Sequence, residues 1–183
     1  NSLPASATLA MAAKARELKS QGVDIIGLSL GEPDFNTPEF IKDAAIQAVK
    51  DNYNSYSPVD GYADLKEAIC NKFKRDNGLD YKPSQVVVST GAKQSIANLC
   101  MVLLNPGDEV LLPAPYWVSY SAIATLAEAK SIIIPSSIET DFKITPEQLE
   151  AAITPKTKLV MFNSPNNPSG TIYTEAEYRA LGK

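Results

Sequence analysis

The feature that most constrains this fold is an alternation of short, wholly apolar segments with segments of helical periodicity. A strand that is apolar at every position is buried on both faces, as in parallel sheets covered by helices on each side. The pattern therefore predicts an α/β domain of three layers, with a mostly parallel sheet between two layers of helices. The predicted strands are Asp24–Ser29, Val86–Ser89, Glu109–Leu112, Ser131–Ile134 and Lys158–Phe162.

Helix signals lie between these strands. Thr37-Pro38-Glu39 supplies a cap, a proline for the first helical position and an acidic residue in the first turn. Thr145 with Gln148, and Thr174 with Glu177, fit capping boxes. Three helices are predicted at residues 9–21, 93–104 and 120–129. Two more carry Phe40 to Val49 and Leu65 to Phe73, and a further two begin at the caps Thr145 and Thr174.

Composition limits the classes of function. No apolar run approaches the ~20 residues of a membrane-spanning helix, and a net charge of −4 without a basic cluster argues against a nucleic-acid partner. The chain has no histidine, which excludes an imidazole base or a His-ligated metal, so we expect no metal site. Cys70 and Cys100 each lie in an apolar helical pattern, as core thiols of a reducing, cytoplasmic compartment would.

The segment Ser89–Ser95 is the best candidate for binding an anion. It follows a predicted strand and opens a helix, so free backbone N–H groups meet the positive end of a helix dipole there. Gly91 allows a ligand to approach the backbone closely, or it only relieves strain in an ordinary strand-to-helix turn. The glycine patterns that bind dinucleotides or nucleoside triphosphates are absent, which leaves a smaller phosphate ligand.

Three further segments with turn composition end predicted strands at the same edge of the sheet: 29–35, 113–117 and 163–170. Ligands of such sheets bind at this carboxyl edge. Trp117 either packs in the core or stacks on a planar ligand. Asn167 either forms a turn beside Pro168 or donates its amide to a ligand oxygen.

The motifs in these segments resemble those of the class I aminotransferases, which are fold-type I enzymes that use pyridoxal 5'-phosphate. The match extends over nearly the whole chain and is closest to the bacterial aspartate aminotransferases. The resemblance implies a homodimer that moves an amino group between an amino acid, here L-aspartate or another acidic amino acid, and a 2-oxo acid, 2-oxoglutarate. The motifs are Ser-Leu-Gly-Glu-Pro-Asp-Phe (29–35), Tyr-Ser-Pro (56–58) with Gly61, Ser-Thr-Gly-Ala-Lys-Gln (89–94), Pro-Tyr-Trp-Val-Ser-Tyr (115–120) and Asn-Ser-Pro-Asn-Asn-Pro-Ser-Gly (163–170).

The resemblance also implies roles for single residues. Trp117 is similar to the ring that stacks on the cofactor pyridine, and Asn167 to the amide that binds its phenolic oxygen. Tyr56 is similar to the tyrosine that reaches the cofactor phosphate of a neighbouring subunit. The backbone N–H groups of Gly91, Ala92 and Lys93 are similar to the cup that binds the cofactor phosphate. The backbone of Gly31 is similar to the contact with the substrate α-carboxylate. The side chain of Lys93, with Ser6 and Thr8 nearby, is similar to the group that binds the distal carboxylate of an acidic substrate.

One part of the family pattern has no counterpart in this sequence. The lysine that forms the Schiff base follows the Asn-Asn-Pro motif in the family, and none of the lysines here fits its position, so no catalytic residue is assigned. Both ends look cut, and we expect a fragment that is inactive alone and self-associates. Residues 1–30 would form an N-terminal helix and first strand of a connecting segment, and residues 31–183 part of the cofactor-binding large domain.

Two alternatives stay open at this point. Another fold-type I enzyme, such as an aromatic or alanine aminotransferase, a C–S lyase or a cyclopropane-forming synthase, would share the fold and the cofactor. A non-catalytic α/β module that binds a phosphate or a protein partner would explain a gene product without the lysine.

Overall fold

A computed structural model describes Leu3, residues 7–28 and residues 31–183. These residues divide into two compact units. Residues 7–28 and 31–87 form the N-terminal unit, and Leu3 with Val88–Lys183 forms the sheet unit. No helix in the described ranges is long and apolar enough to cross a membrane.

The N-terminal unit contains three helices, as the sequence predicts. Helix α3 ends where Gly78 takes a left-handed conformation at φ +66°, which glycine adopts without steric cost. The predicted cap of the second helix is wrong, because Pro38 rather than Thr37 holds the N-cap position and no side chain caps it. The helices are α1 (Ala7–Ser20), α2 (Glu39–Lys50) and α3 (Ala63–Asn77), and a 3₁₀ turn follows at Pro83–Gln85.

Two predicted strands do not form. Residues 23–28 and 86–89 have no regular secondary structure, and Ser29 lies outside the described residues. A strand requires a neighbour that accepts and donates its backbone hydrogen bonds, and neither run pairs with any segment that the structure describes. Their apolar side chains therefore stay open to solvent, with Ile26 86%, Leu28 92% and Val87 66% exposed.

The sheet unit has three parallel strands in the order β2-β1-β3. In the central strand, Leu111 lies opposite Ile132 on one side and Val160 on the other. The last strand is shorter than predicted, because it ends at Val160 and not at Phe162. The elements are α4 (Ala92–Leu103), β1 (Glu109–Pro113), α5 (Ser119–Leu126), β2 (Lys130–Ile134), a 3₁₀ turn (Ile138–Thr140), α6 (Pro146–Ala152), β3 (Thr157–Val160) and α7 (Glu175–Leu181).

The central strand is buried on both faces, which confirms the three-layer prediction. Val110 and Leu112 pack with Cys100 of α4 and Ile123 of α5. Leu111 points to the opposite face and packs in a second cluster, to which Leu149 of α6 and Leu181 of α7 belong. Successive residues of a strand face opposite sides of the sheet, so a wholly apolar strand is what a covered parallel sheet requires.

The chain reverses direction across this sheet. It runs from β1 through α5 to β2, and then through α6 back past β1 to β3. Helices α5 and α6 lie on opposite faces. In open α/β sheets such a reversal creates a crevice at the carboxyl ends of the strands. The loops that follow β1 and β3 meet at this crevice.

The capping box of α7 gives the sheet unit a pH-dependent contact. Glu177 accepts hydrogen bonds from the backbone N–H of Thr174 at 2.6 Å and from the ammonium of Lys143 at 3.0 Å. These bonds hold the pKa of the Glu177 carboxyl below its ordinary value, the Thr174 bond first. Asp141 also lies near the lysine, with 3.6 Å between its carboxylate oxygen and the Lys143 nitrogen.

We expect the stabilising effect of Glu177 to disappear in acid. Because its folded-state pKa is lowered, the carboxylate stabilises the fold above the unfolded-state pKa of about 4.3, and this contribution is lost as the pH falls through the folded-state value. The melting temperature of the chain should exceed that of Glu177→Gln near neutral pH, and the difference should shrink below about pH 4. A difference that does not change with pH would contradict the prediction.

Candidate functional site

The candidate site lies where the loops after β1 and β3 meet. The first loop carries Trp117, and the second carries Asn167. The side-chain amide of Asn166 donates to the carbonyl oxygen of Pro115 at 3.3 Å, across 51 positions of sequence. The structure therefore brings together two of the strand-end segments that the sequence singles out.

Trp117 is half-buried and contacts both the core and a cation. It packs against the cluster formed by α4, α5 and β1, and its ring lies edge-on to Tyr120 with centroids 5.6 Å apart. The ammonium of Lys93 lies 4.9 Å from the centroid of the indole, within the range of a cation–π contact. Lys93 and Trp117, which the sequence assigns to one site, are thus neighbours.

The start of α4 presents backbone donors. The N–H groups of Ala92 and Lys93 have no acceptor among the described residues, because the first N–H groups of a helix have no preceding turn to donate to. The N–H of Gly91 instead donates to the carbonyl oxygen of Ser89 at 2.8 Å. Gly91 has φ +84°, a conformation that strains other residues, and open space lies where a Cβ would be. The open donors for an anion are therefore those of Ala92 and Lys93.

Asn167 has a fixed backbone and an unengaged side chain. Its N–H donates to the side-chain oxygen of Asn163 at 3.3 Å, and the Asn163 amide donates in turn to the carbonyl of Pro165 at 2.8 Å. The Asn167 side chain is exposed and makes no hydrogen bond with the residues that the structure describes. Its amide is available to a ligand.

The electrostatic character of the site is positive. Lys93 places an ammonium at the ring, and the twelve-residue helix α4 adds the positive end of its dipole. Burial raises the pKa of the Tyr120 phenol and of the Cys100 thiol, so both groups are neutral at neutral pH. In the ranges that the structure covers, no group of three or more Cys, Asp or Glu side chains is placed to hold a metal ion. The site suits an anionic, planar ligand.

Other predicted site residues lie in the N-terminal unit or outside the described residues. Gly31 is exposed, with nothing within 4 Å of where a Cβ would be. Tyr56 is fully exposed in the loop between α2 and α3. Thr8 is half-buried in α1. Ser6 lies outside the described residues.

Sequence reasoning did not single out Asn166 and Ser136. The Ser136 hydroxyl donates a hydrogen bond to the carbonyl oxygen of Ala114, next to the Pro115 carbonyl that accepts from Asn166. The Asn-Asn-Pro motif marks the loop, but two adjacent asparagines give no sign of which one binds the neighbouring loop. Ser136 carries no pattern that distinguishes it from an ordinary loop serine.

Comparisons with known proteins identify the family of this chain. The family described as "Aminotransferase class I and II" matches residues 23–183. An aspartate/prephenate aminotransferase of Nitrosomonas europaea is 54% identical over 177 residues, which cover 97% of this chain and 45% of that protein. The crystal structure of the aspartate aminotransferase from Rhizobium meliloti has a TM-score of 0.92 and 47% identity, covering 98% of this chain and 45% of that one.

A Thermus thermophilus aspartate aminotransferase with maleate is similar with a TM-score of 0.93 and 44% identity, covering 98% of this chain and 47% of that one. The chain thus spans just under half the length of the relatives it matches. The family match covers far more than half of the chain itself. The chain therefore belongs to the class I and II aminotransferases.

Proposed function

We propose that this chain supplies the cofactor-binding part of an aminotransferase that moves an amino group between L-aspartate, or another acidic amino acid, and 2-oxoglutarate. One observation carries the proposal. Lys93 contributes an open backbone N–H at the start of α4 and an ammonium 4.9 Å from the Trp117 ring centroid. Lys93 thus connects the two features that the cofactor would need. One is a helix end that can bind an anion, and the other is a ring that can stack on a planar group.

The described residues fit pyridoxal 5'-phosphate. The N–H groups of Ala92 and Lys93, beside Gly91, would bind the phosphate. The Trp117 indole would stack on the pyridine ring, and the exposed amide of Asn167 would donate to the phenolic oxygen. When bound, this cofactor supplies an electron sink for bond breaking at the substrate Cα. The part of this chain is to bind and orient it.

The acidic substrate is supported by charge and by the relatives. Lys93 is exposed and has no ion-pair partner in the described ranges, so its ammonium is available to a carboxylate of the ligand. The similar Thermus thermophilus structure contains maleate, which is a dicarboxylate. In this proposal the Gly31 backbone binds the α-carboxylate, and Lys93, with Ser6 and Thr8, serves the distal one.

A homodimer is part of the proposal. Tyr56 is fully exposed, and α2 buries none of its residues although Phe40 and Val49 are apolar. An exposed aromatic beside an uncovered apolar helix is typical of an interface. Tyr56 would reach the cofactor phosphate of the neighbouring subunit. Residues 31–183 would belong to the cofactor-binding domain and residues 1–30 to a connecting segment.

Prephenate is a second candidate amino acceptor. The Nitrosomonas europaea relative, 54% identical over 177 residues, is named for both aspartate and prephenate. Prephenate carries two carboxylates, so Lys93 would serve it as it serves 2-oxoglutarate. A protein containing this chain that consumes aspartate with prephenate but not with 2-oxoglutarate would favour this second candidate.

A fluorescence titration tests cofactor binding directly, because Trp117 is the only tryptophan in the sequence. Pyridoxal phosphate should quench its emission and saturate, and pyridoxal, which lacks the phosphate, should bind at least about tenfold more weakly, since hydrogen bonds to a charged group contribute about 1.5–3 kcal/mol each. Deoxypyridoxine phosphate, which has no aldehyde, controls for reaction with surface lysines. A flat titration up to millimolar cofactor would count against the proposal.

A further inference from the structure

The loop after β3 is organised around one residue, Asn166, through both its side chain and its backbone. The side-chain oxygen of Asn166 accepts from the backbone N–H of Ser169 at 3.0 Å and from its hydroxyl at 2.9 Å. The Asn166 N–H donates to the carbonyl oxygen of Thr171 at 2.9 Å, and its carbonyl accepts from the N–H of Gly170 at 2.8 Å. Four hydrogen bonds thus close the loop that carries Asn167.

The same side chain reaches out of its own loop. The Asn166 amide nitrogen donates to the Pro115 carbonyl at 3.3 Å, two residues before Trp117. The adjacent carbonyl, that of Ala114, accepts from Ser136 in the loop after β2, and the Ala114 N–H donates to the carbonyl of Ile134 at 2.9 Å. The segment leading to Trp117 is therefore held from both neighbouring strands.

We propose that Asn166 is a positioning residue that fixes the placement of Trp117 relative to Asn167. It is the side chain that joins the two loops by a hydrogen bond in the part of the chain that the structure describes. Asn166 is half-buried, and its side-chain oxygen and nitrogen both form hydrogen bonds within the protein. Because no polar atom of this side chain is left for a ligand, Asn166 would affect binding only by positioning its neighbours. The inference rests on the proposed function, because Trp117 and Asn167 need a fixed separation only if one ligand contacts both.

Asn166→Asp separates the two contacts of this side chain. The aspartate keeps oxygen acceptors for Ser169 but has no donor for the Pro115 carbonyl, and its charge repels that oxygen. Ser169→Ala removes a contact inside the loop and leaves the bond to Pro115, so it is the matched control. Ser136→Ala loosens the segment before Trp117 without touching the loop of Asn167.

Two readouts are measured at a temperature where each variant is folded. In the absence of ligand, Asn166→Asp and Ser136→Ala should increase acrylamide quenching of Trp117, whereas Ser169→Ala should not. In a titration with pyridoxal phosphate, Asn166→Asp should raise Kd about 3- to 10-fold, the loss of roughly one hydrogen bond, and Ser169→Ala should stay within about twofold of the parent chain. A merely structural role would lower the melting temperature and leave both readouts unchanged.

The outcomes separate the two proposals. If the parent chain does not bind pyridoxal phosphate, the proposed function fails, while the acrylamide readout still tests the tie between the loops. If the parent binds and Asn166→Asp is folded with the parent's Kd and the parent's quenching, the positioning role is overturned. If Asn166→Asp does not fold, Asn166→Ser is measured in its place, because a serine hydroxyl is too short to span to Pro115.

Discussion

Replacement of Trp117 by alanine should weaken binding of pyridoxal phosphate about 5- to 150-fold, because stacking of an aromatic side chain on a planar heterocycle contributes about 1–3 kcal/mol. The indole is half-buried and supported by Tyr120 at 5.6 Å, so its orientation is fixed before a ligand arrives. Little ordering entropy is then lost on binding, which is the condition under which a stacking ring is most effective.

Because this variant has no tryptophan, binding is measured by equilibrium dialysis with the absorbance of the cofactor. Trp117→Phe keeps a ring and should lose less affinity than Trp117→Ala. Val118→Ala, at the exposed neighbouring position, is the control and should bind like the parent. Equal affinity of the parent and Trp117→Ala would mean that the ring does not contact the cofactor.

Lys93 needs a separate variant, since it contacts the same ring. Lys93→Met removes the ammonium but keeps the backbone N–H that the phosphate would accept from. We therefore expect a smaller loss of cofactor affinity than in Trp117→Ala. Equal losses in both variants would indicate that the charge of Lys93 contributes as much to cofactor affinity as the stacking does, and would contradict this ranking.

The layered core could be predicted from the sequence because its signal is local. Val110, Leu111 and Leu112 are apolar in succession, and burial on both faces of a parallel sheet is the arrangement that accommodates them. The capping boxes at Thr145 and Thr174 are also local patterns, and both are present. Both cysteines are free and buried, as their apolar surroundings predict.

The strand predictions that are wrong depend on a pairing partner elsewhere in the chain, which a local sequence pattern does not reveal. The run Val86–Ser89 has the composition of a strand, but a strand forms only against a neighbour, and none of the described residues pairs with it. The same limit applies to the site. The sequence identifies Trp117, Lys93 and Asn167 as unusual residues at strand ends, whereas the bond from Asn166 to Pro115 spans 51 positions and has no sequence signature.

The 183-residue chain alone should show no transamination of L-aspartate with 2-oxoglutarate. The reaction needs an amine that moves a proton at the substrate Cα. None of the lysines in this sequence fits the position of the family's Schiff-base lysine, and the Lys93 nitrogen lies 4.9 Å from the Trp117 ring centroid, where the proposal gives it a binding role. The binding groups of the site orient a cofactor but supply no base.

Oxaloacetate formation is the readout, and free pyridoxal phosphate at the same concentration is the essential control, because the cofactor alone has some activity. The chain should not exceed this background, and Trp117→Ala should match it. If the chain does exceed it, the prediction is wrong, and a Lys93→Met variant that keeps the excess would exclude Lys93 as the proton carrier. A chain that binds the cofactor without turnover would instead show that the groups that bind the cofactor are not sufficient for proton transfer.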